Sequence, residues 1–394
     1  MAWVEHRYGT FRVRLRLPDG TVVTDSSHPD RPTALVRARE IDVELARDRF
    51  LDPRDGQITL TDWVQLWQAT HHAGPATWAA YRSHLRLHIL PALGHLQLSR
   101  IRRQHVKALV SHLADRLAAR STRDVLTVLS LVMNEAVEDR RISHNPARRI
   151  RIPGQHPGER PHATPAEVGQ IAARLPRRTD QILVLTAAYT GLRWGELAGL
   201  QRTNLNLPNA DLYVHPDTGA LHEISGTLYL GSPKTRDSVR HVALPPFLVE
   251  LLDEVCGSHP HDTIFCGARG HFQRRSNFAR RAWRPALDGT PPNRDANRDN
   301  HSSNRTGGTA PIIAGMHFHD LRHTHKTWLI EDGIPEIAQA RRLGHRLPGV
   351  RGIYSHATSA MDQAIIDALQ RRWTATQPVQ PTPPTLTVVR SPAA

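Results

Sequence analysis

Only two cysteines, Cys256 and Cys266, occur in 394 residues, and they do not form a C-x-x-C pair. A disulfide framework and a cysteine-built zinc site are thereby excluded as organising features. No run of about eighteen apolar residues occurs, so no segment reads as a membrane span. The opening M-A-W-V-E-H-R lacks the apolar centre of a secretion signal, which makes the cytoplasm the expected compartment. Acid is scarce too: 37 Asp and Glu face 51 Lys and Arg, a formal net charge of +14. Solubility does not need so much charge. A polyanionic partner is its simplest cause, nucleic acid before an anionic membrane surface.

What is present falls into segments long enough for two or three cores. Phe11, Val13, Leu15 and Leu17 alternate with Arg12, Arg14 and Arg16, the period of a half-buried strand. Pro18-Asp19-Gly20 signals a turn into a returning strand, and Pro32 opens a helix expected to reach Phe50. With no acid inside it, the arginine row suits a sheet that faces DNA. Residues 55–153 read as helices throughout. Trp63, Leu66 and Trp67 form one stripe, Thr77 is the expected cap of a helix bearing Tyr81 and Leu85, and further helices fit 103–118 and 121–140. Arg82, Arg86, Lys107 and Arg123 are scattered among the apolar stripes, as on a bundle gripping a duplex backbone.

The divisions expected are 1–54, 55–153, a Pro- and Gly-rich linker at 154–161, and 162–374, where Thr164-Pro165 starts a new helix. Residues 290–315 are polar and read as a mobile insertion. The tail, 375–394, is rich in Pro and Thr and reads as disordered.

The informative stretch starts at Phe318: F-H-D-L-R-H-T-H-K-T-W. His319 and Arg322, at i and i+3, share a helix face, while Leu321, His325 and Trp328 make the core stripe. Asp332-Gly333 stops the helix, Pro335 opens another through Leu343, and Gly344 suits a left-handed cap just before His345. Tyr354 follows. Upstream, T-G-L-R-W-G-E-L sets Arg193 and Glu196 at i and i+3, where the carboxylate can orient the guanidinium. Lys234, in S-P-K-T-R between two apolar runs, is expected at a hairpin tip. Singly, each is an ordinary surface or core residue. Together they suggest chemistry on an anion.

In this order and at these separations, T-G-L-R-W-G-E-L, P-K-T, H-D-L-R-H-T, L-G-H and Y-S-H resemble the tyrosine recombinase (phage integrase) family over about residues 160–373. The resemblance implies a multidomain, mainly α protein with small β-sheets. It would hold an α+β arm-binding domain, a helical core-binding domain and a mainly helical catalytic domain. The implied activity is site-specific breaking and rejoining of double-stranded DNA through a 3′-phosphotyrosine, without metal, ATP or cofactor. Such an enzyme integrates, and in reverse excises, a phage or mobile element. Tyr354 would be the nucleophile, Arg193 and Arg322 the phosphate ligands, and Lys234 the general acid. His319 and His345 would bind phosphate and shuttle protons, with Glu196 supporting. A homotetramer on core sites, arm sites, an excision factor and a host DNA-bending protein belong to the same picture, as does a place on the nucleoid. In the family a helix like 358–373 packs on a neighbouring subunit; packing on its own domain is the alternative.

Three other readings stay open. His319 and His323, with His317 and His325 beside them, have the spacing of a histidine metal site, although Arg322 opposes a cation there. A DNA-binding relative without catalysis, and a topoisomerase using the same residues, are the others.

Overall fold

In a computed structural model the chain is described at all positions except 18, 48, 53, 154–158, 290–308, 348–357 and 378–394. It divides into two compact units, Met1–Pro157 and Gly158–Ala394.

The first unit opens with three antiparallel strands in the order β1 (Ala2–Arg7), β2 (Thr10–Arg16), β3 (Val22–His28). Val13 and Leu15 of β2 are fully buried against Ala34, Ala38 and Ile41 of α1 (Arg31–Ala46). Asp30 caps that helix by accepting the Thr33 N–H at 2.8 Å, with Pro32 in the first turn. The helix ends at Ala46, short of the expected Phe50. β1 does not stand out in sequence because A-W-V-E-H-R lacks strict alternation. Its pairing matters for the arginine row: Glu5 lies opposite Arg12 and forms an ion pair with Arg14 at 2.9 Å. The arginine face therefore does carry an acid, supplied by the neighbouring strand.

A helical bundle follows: α2 (Leu60–Thr70), α3 (Pro75–His84), a π-turn over Leu85–Ile89, α4 (Leu90–Leu93), α5 (Arg103–Ala114) and α6 (Ala119–Glu138). Its core gathers Trp63, Trp67, Ile89 and Val106 with Val125, Leu129, Val132 and Met133 of α6. Trp63 enters that core with its indole N–H donating to the Val132 carbonyl at 3.1 Å. Two expectations are corrected. Leu66 points outward, since Trp63, Val64 and Trp67 already fill the buried face. The cap of α3 is Gly74 followed by Pro75, so Thr77 lies inside the helix. Arg82, Arg86, Lys107 and Arg123 are all exposed.

In the second unit Thr164 and Glu167 cap α7 (Pro165–Ala173) reciprocally. α8 (Arg178–Thr190), buried on nearly all sides, runs through the core. α9 (Trp194–Ala198) and five short strands follow: β4 (Leu205–Asn206), β5 (Asp211–Val214), β6 (Ala220–Ile224), β7 (Thr227–Gly231) and β8 (Arg240–Ala243). One sheet has the order β4-β5-β8; β6 and β7 pair with each other. This corrects the hairpin expected around Lys234. The turn Ser225-Gly226, with φ of 49° and 84°, folds β7 back onto β6, so β8 takes β5 as its partner. Lys234 lies on the crossing between the two sheets.

α10 (Pro246–Ser258), α11 (Arg275–Phe278) and α12 (Arg284–Asp288) lead to α13 (Asp320–Glu331), α14 (Glu336–Leu343) and α15 (Ser359–Thr374). α15 packs on its own unit. Ile365 and Leu369 are fully buried, Trp373 stacks on Phe247 with centroids 4.3 Å apart, and Arg372 pairs with Asp332 at 2.7 Å. Most of the expected insertion, 290–308, and the tail from 378 lie outside the described residues.

Candidate active site

The site grows from the broken end of α8. Gly191, at φ +67°, ends that helix in the left-handed region. A side chain there would also collide, because a Cβ would stand 2.7 Å from Leu343 Cδ2 and 2.8 Å from His325 Cδ2. That close approach brings the start of α9 beside α13 and the end of α14. Arg193 is the residue before α9, and Glu196 in its first turn accepts the Arg193 backbone N–H at 3.0 Å. The same carboxylate binds Arg193 Nη1 at 2.8 Å and Arg240 Nη2, from β8, at 3.0 Å.

Burial alone would raise the Glu196 carboxyl, but Arg240 and Arg193 overcome it and hold the group below the usual range. Glu196 is therefore ionised and fully engaged; it orients the guanidinium of Arg193. Arg193 Nη1 also donates to Ser238 Oγ at 2.9 Å.

Arg322, in the first turn of α13, is buried. Its Nη1 donates to the Gly191 carbonyl at 2.5 Å, and its Nη2 to the Leu343 carbonyl and to His345 Nε2, the latter at 2.9 Å. Gly344, at φ +64°, turns the chain out of α14 so that His345 reaches this position. Partial burial of its ring, then Arg322 and Arg193, push the His345 imidazole down to about 4, so it is neutral at pH 7. His319 stands just before α13 and is exposed. Partial burial of its ring, then Arg322 and His323, push it below the ordinary histidine value too. Three guanidinium groups, those of Arg193, Arg240 and Arg322, thus gather around one carboxylate. The surplus positive charge, partly desolvated, is arranged to receive an anion.

Behind this layer Arg342 is buried. It donates to His325 Nε2 at 2.9 Å and to the carbonyls of Ala243 and Tyr189, each at 3.0 Å. An arginine only donates, so His325 Nε2 must accept, and its Nδ1–H donates to the Ala188 carbonyl at 2.8 Å. Both ring nitrogens of His325 are thereby used, which removes it from any metal-ligand set. Asp320 is similarly engaged, by Arg160 at 2.9 Å and the His317 N–H at 2.8 Å.

Arg193, Glu196, Arg322 and His345 are thus joined or in direct electrostatic contact, with His319 beside Arg322. Lys234 is exposed on the crossing segment and reaches the network through Thr235 and Ser238. Tyr354 lies outside the described residues. Arg12, Arg14, Arg16, Arg82, Arg86, Lys107 and Arg123 belong to the other unit. Sequence reasoning missed Arg240, Ser238 and Arg342. Arg240 offered one signal: it alternates with Val242, so it occupies an inward position of its strand, where a charge needs a partner.

The chain matches the model of the phage integrase family over residues 163–361 and that of a phage integrase N-terminal SAM-like domain over 59–114. It is 26% identical to the integrase of Mycobacterium phage L5, with 82% of each protein covered. Among solved structures, the Tn1549 transposon integrase in complex with a circular intermediate DNA superposes with a TM-score of 0.60 at 16% identity. That alignment covers 79% of this chain and 99% of that one. A lambda integrase tetramer bound to a Holliday junction gives 0.52 at 20% identity, covering 87% and 95%. With over half of its length matched by the family's own model, the chain belongs to the phage integrase family.

Proposed function

We propose that this protein binds double-stranded DNA at paired core sites and exchanges strands there, with Tyr354 as the nucleophile. The observation that carries the reading is the pair of guanidinium cations of Arg193 and Arg322, with the neutral His345 bonded to Arg322, set around a fully committed Glu196. Attack on a phosphodiester gathers negative charge on the non-bridging oxygens, and planar, permanently charged forks suit those oxygens. The Tyr354 oxygen bonds to phosphorus as the bond to the 5′-oxygen breaks. The phenol proton passes to a base, for which His319 is the candidate. The departing 5′-oxygen takes a proton from Lys234. One phosphodiester replaces another, so the 3′-phosphotyrosine conserves the bond for rejoining.

Membership of the family and the phage L5 relative support integration of a phage or mobile element as the biological task. A homotetramer is the proposed assembly, supported by the lambda integrase tetramer on its junction. The N-terminal sheet with Arg12, Arg14 and Arg16 is the proposed arm-site reader, and the exposed cations of the bundle are proposed to meet the core duplex. An excision factor and a DNA-bending protein are proposed partners, and the nucleoid the proposed location. No helix among the described residues is long and apolar enough to cross a membrane.

The test is a plasmid carrying two attachment sites, incubated with purified protein. Recombinant circles are the expected product. Relaxed plasmid without recombinants would instead favour a topoisomerase, and bound but unaltered plasmid a DNA-binding protein without catalysis.

A further inference from the structure

The segment carrying Lys234 is anchored immediately on both sides of it. Upstream, His222 of β6 donates from Nε2 to the Ser232 carbonyl at 2.8 Å. The ring is held for this by stacking on Tyr229, the residue opposite it on β7, with centroids 5.3 Å apart and planes 19° apart. The hairpin bearing both is itself pinned at its tip, where Arg274 binds Glu223 and the Gly226 carbonyl, each at 2.7 Å.

Downstream, Thr235 Oγ1 and the fully buried Ser238 Oγ are bonded at 2.8 Å, and Ser238 Oγ accepts from Arg193 Nη1. Arg240 Nη1 holds the Ser238 carbonyl at 2.8 Å. Only Pro233 and Lys234 lie between the two anchors, and Pro233 has a fixed φ. Lys234 itself has no side-chain partner among the described residues. Its position is set by its flanks.

We propose that His222 and Thr235 are positioning residues for Lys234. Together they clamp the crossing segment so that the Lys234 ammonium is delivered to the departing 5′-oxygen of the phosphate held by Arg193. The inference rests on the reading of Lys234 as general acid. Through Ser238, the clamp registers the proton donor directly against a phosphate ligand; the hairpin supplies the second point needed to fix direction. A flexible lysine on an unanchored loop would lose most of the advantage of a placed acid.

A leaving-group substitution tests this. The intact protein is compared on nicked DNA with the ordinary 5′-oxygen and on DNA with sulfur at that bridging position. A thiol has a pKa of about 8.5 and leaves without needing a proton. Loss of the acid should therefore be harmful with oxygen and nearly harmless with sulfur. Lys234→Ala is expected to slow single-turnover cleavage of the oxygen substrate by about 100-fold or more, as removal of a general acid does. His222→Phe keeps the ring stack and removes the N–H; Thr235→Val keeps the shape and removes the hydroxyl. Each should cost about 10-fold with oxygen, a fraction of the loss of the acid itself, and return to near the wild-type rate with sulfur. His222→Gln, which retains an N–H donor, should restore much of the oxygen rate.

A Lys234→Ala enzyme equally impaired on both substrates would overturn the reading of Lys234 itself. If Lys234→Ala is rescued but His222→Phe or Thr235→Val is unimpaired, or equally slow on both substrates, that end of the clamp is overturned. A variant that merely misfolds is slow with sulfur as well, so it counts against the clamp and cannot pass for support.

Discussion

Arg322 shows how much of this site one side chain organises. It ties the end of α8, through the Gly191 carbonyl, to the end of α14, through the Leu343 carbonyl and His345. A lysine at that position would keep the charge and lose the fork. Arg322→Lys is expected to slow cleavage by about 100- to 1,000-fold, the scale for loss of one transition-state donor. A filter-binding assay should meanwhile show DNA affinity changed far less. Equal losses in binding and cleavage would contradict a role specific to the transition state. His345 makes a second prediction. Its imidazole is pushed down to about 4 in the folded chain, and His319 and His325 shift the same way. Unfolded histidine titrates near 6.5, so below that pH the unfolded chain binds more protons. This stability is complete above about 6.5 and is lost as pH falls toward the folded values. Urea midpoints should hold level from pH 8 to 7 and decline from 6.5 to 4.5; a level profile throughout would refute the lowered histidine values.

At the scale of elements, the helix boundaries around the site were legible because local chemistry sets them. Thr164-Pro165 opens α7 and Gly344 ends α14, each where the sequence indicates. Gly191 does two things at once, adopting a left-handed φ and admitting Leu343 and His325. Gly191→Ala should cost about 2–4 kcal/mol, from the strained φ together with overpacking. Chemical denaturation measures this, and a loss under about 1 kcal/mol would contradict the close approach. Strand pairing was less legible. The apolar run before Lys234 does not reveal whether it pairs with β6 or β8, because register and partner are settled by contacts distant in sequence. For the same reason Ser238 was invisible as a site residue and Arg240 was signalled only by its inward strand position: they meet Arg193 and Glu196 only once β8 is set beside α9.

For the whole molecule, the excess of basic over acidic residues was the earliest clue and still sets the largest expected binding term. Affinity for core DNA should fall linearly on a log–log plot against salt. Replacing Arg82, Arg86, Lys107 or Arg123 by alanine should each reduce the slope by about one wherever that residue meets a phosphate. Removing residues 1–50 should weaken binding to arm sites and leave cleavage of a core site intact; unchanged affinity for every site would refute the role of the arginine sheet. The catalytic tyrosine is the central claim, and one measurement addresses it most directly. Wild type and Tyr354→Phe are incubated in EDTA with a nicked core site from which the cleaved end diffuses away. Wild type alone should yield a covalent protein–DNA band. A band that persists in Tyr354→Phe, or no band from wild type that still binds the site, would contradict the account.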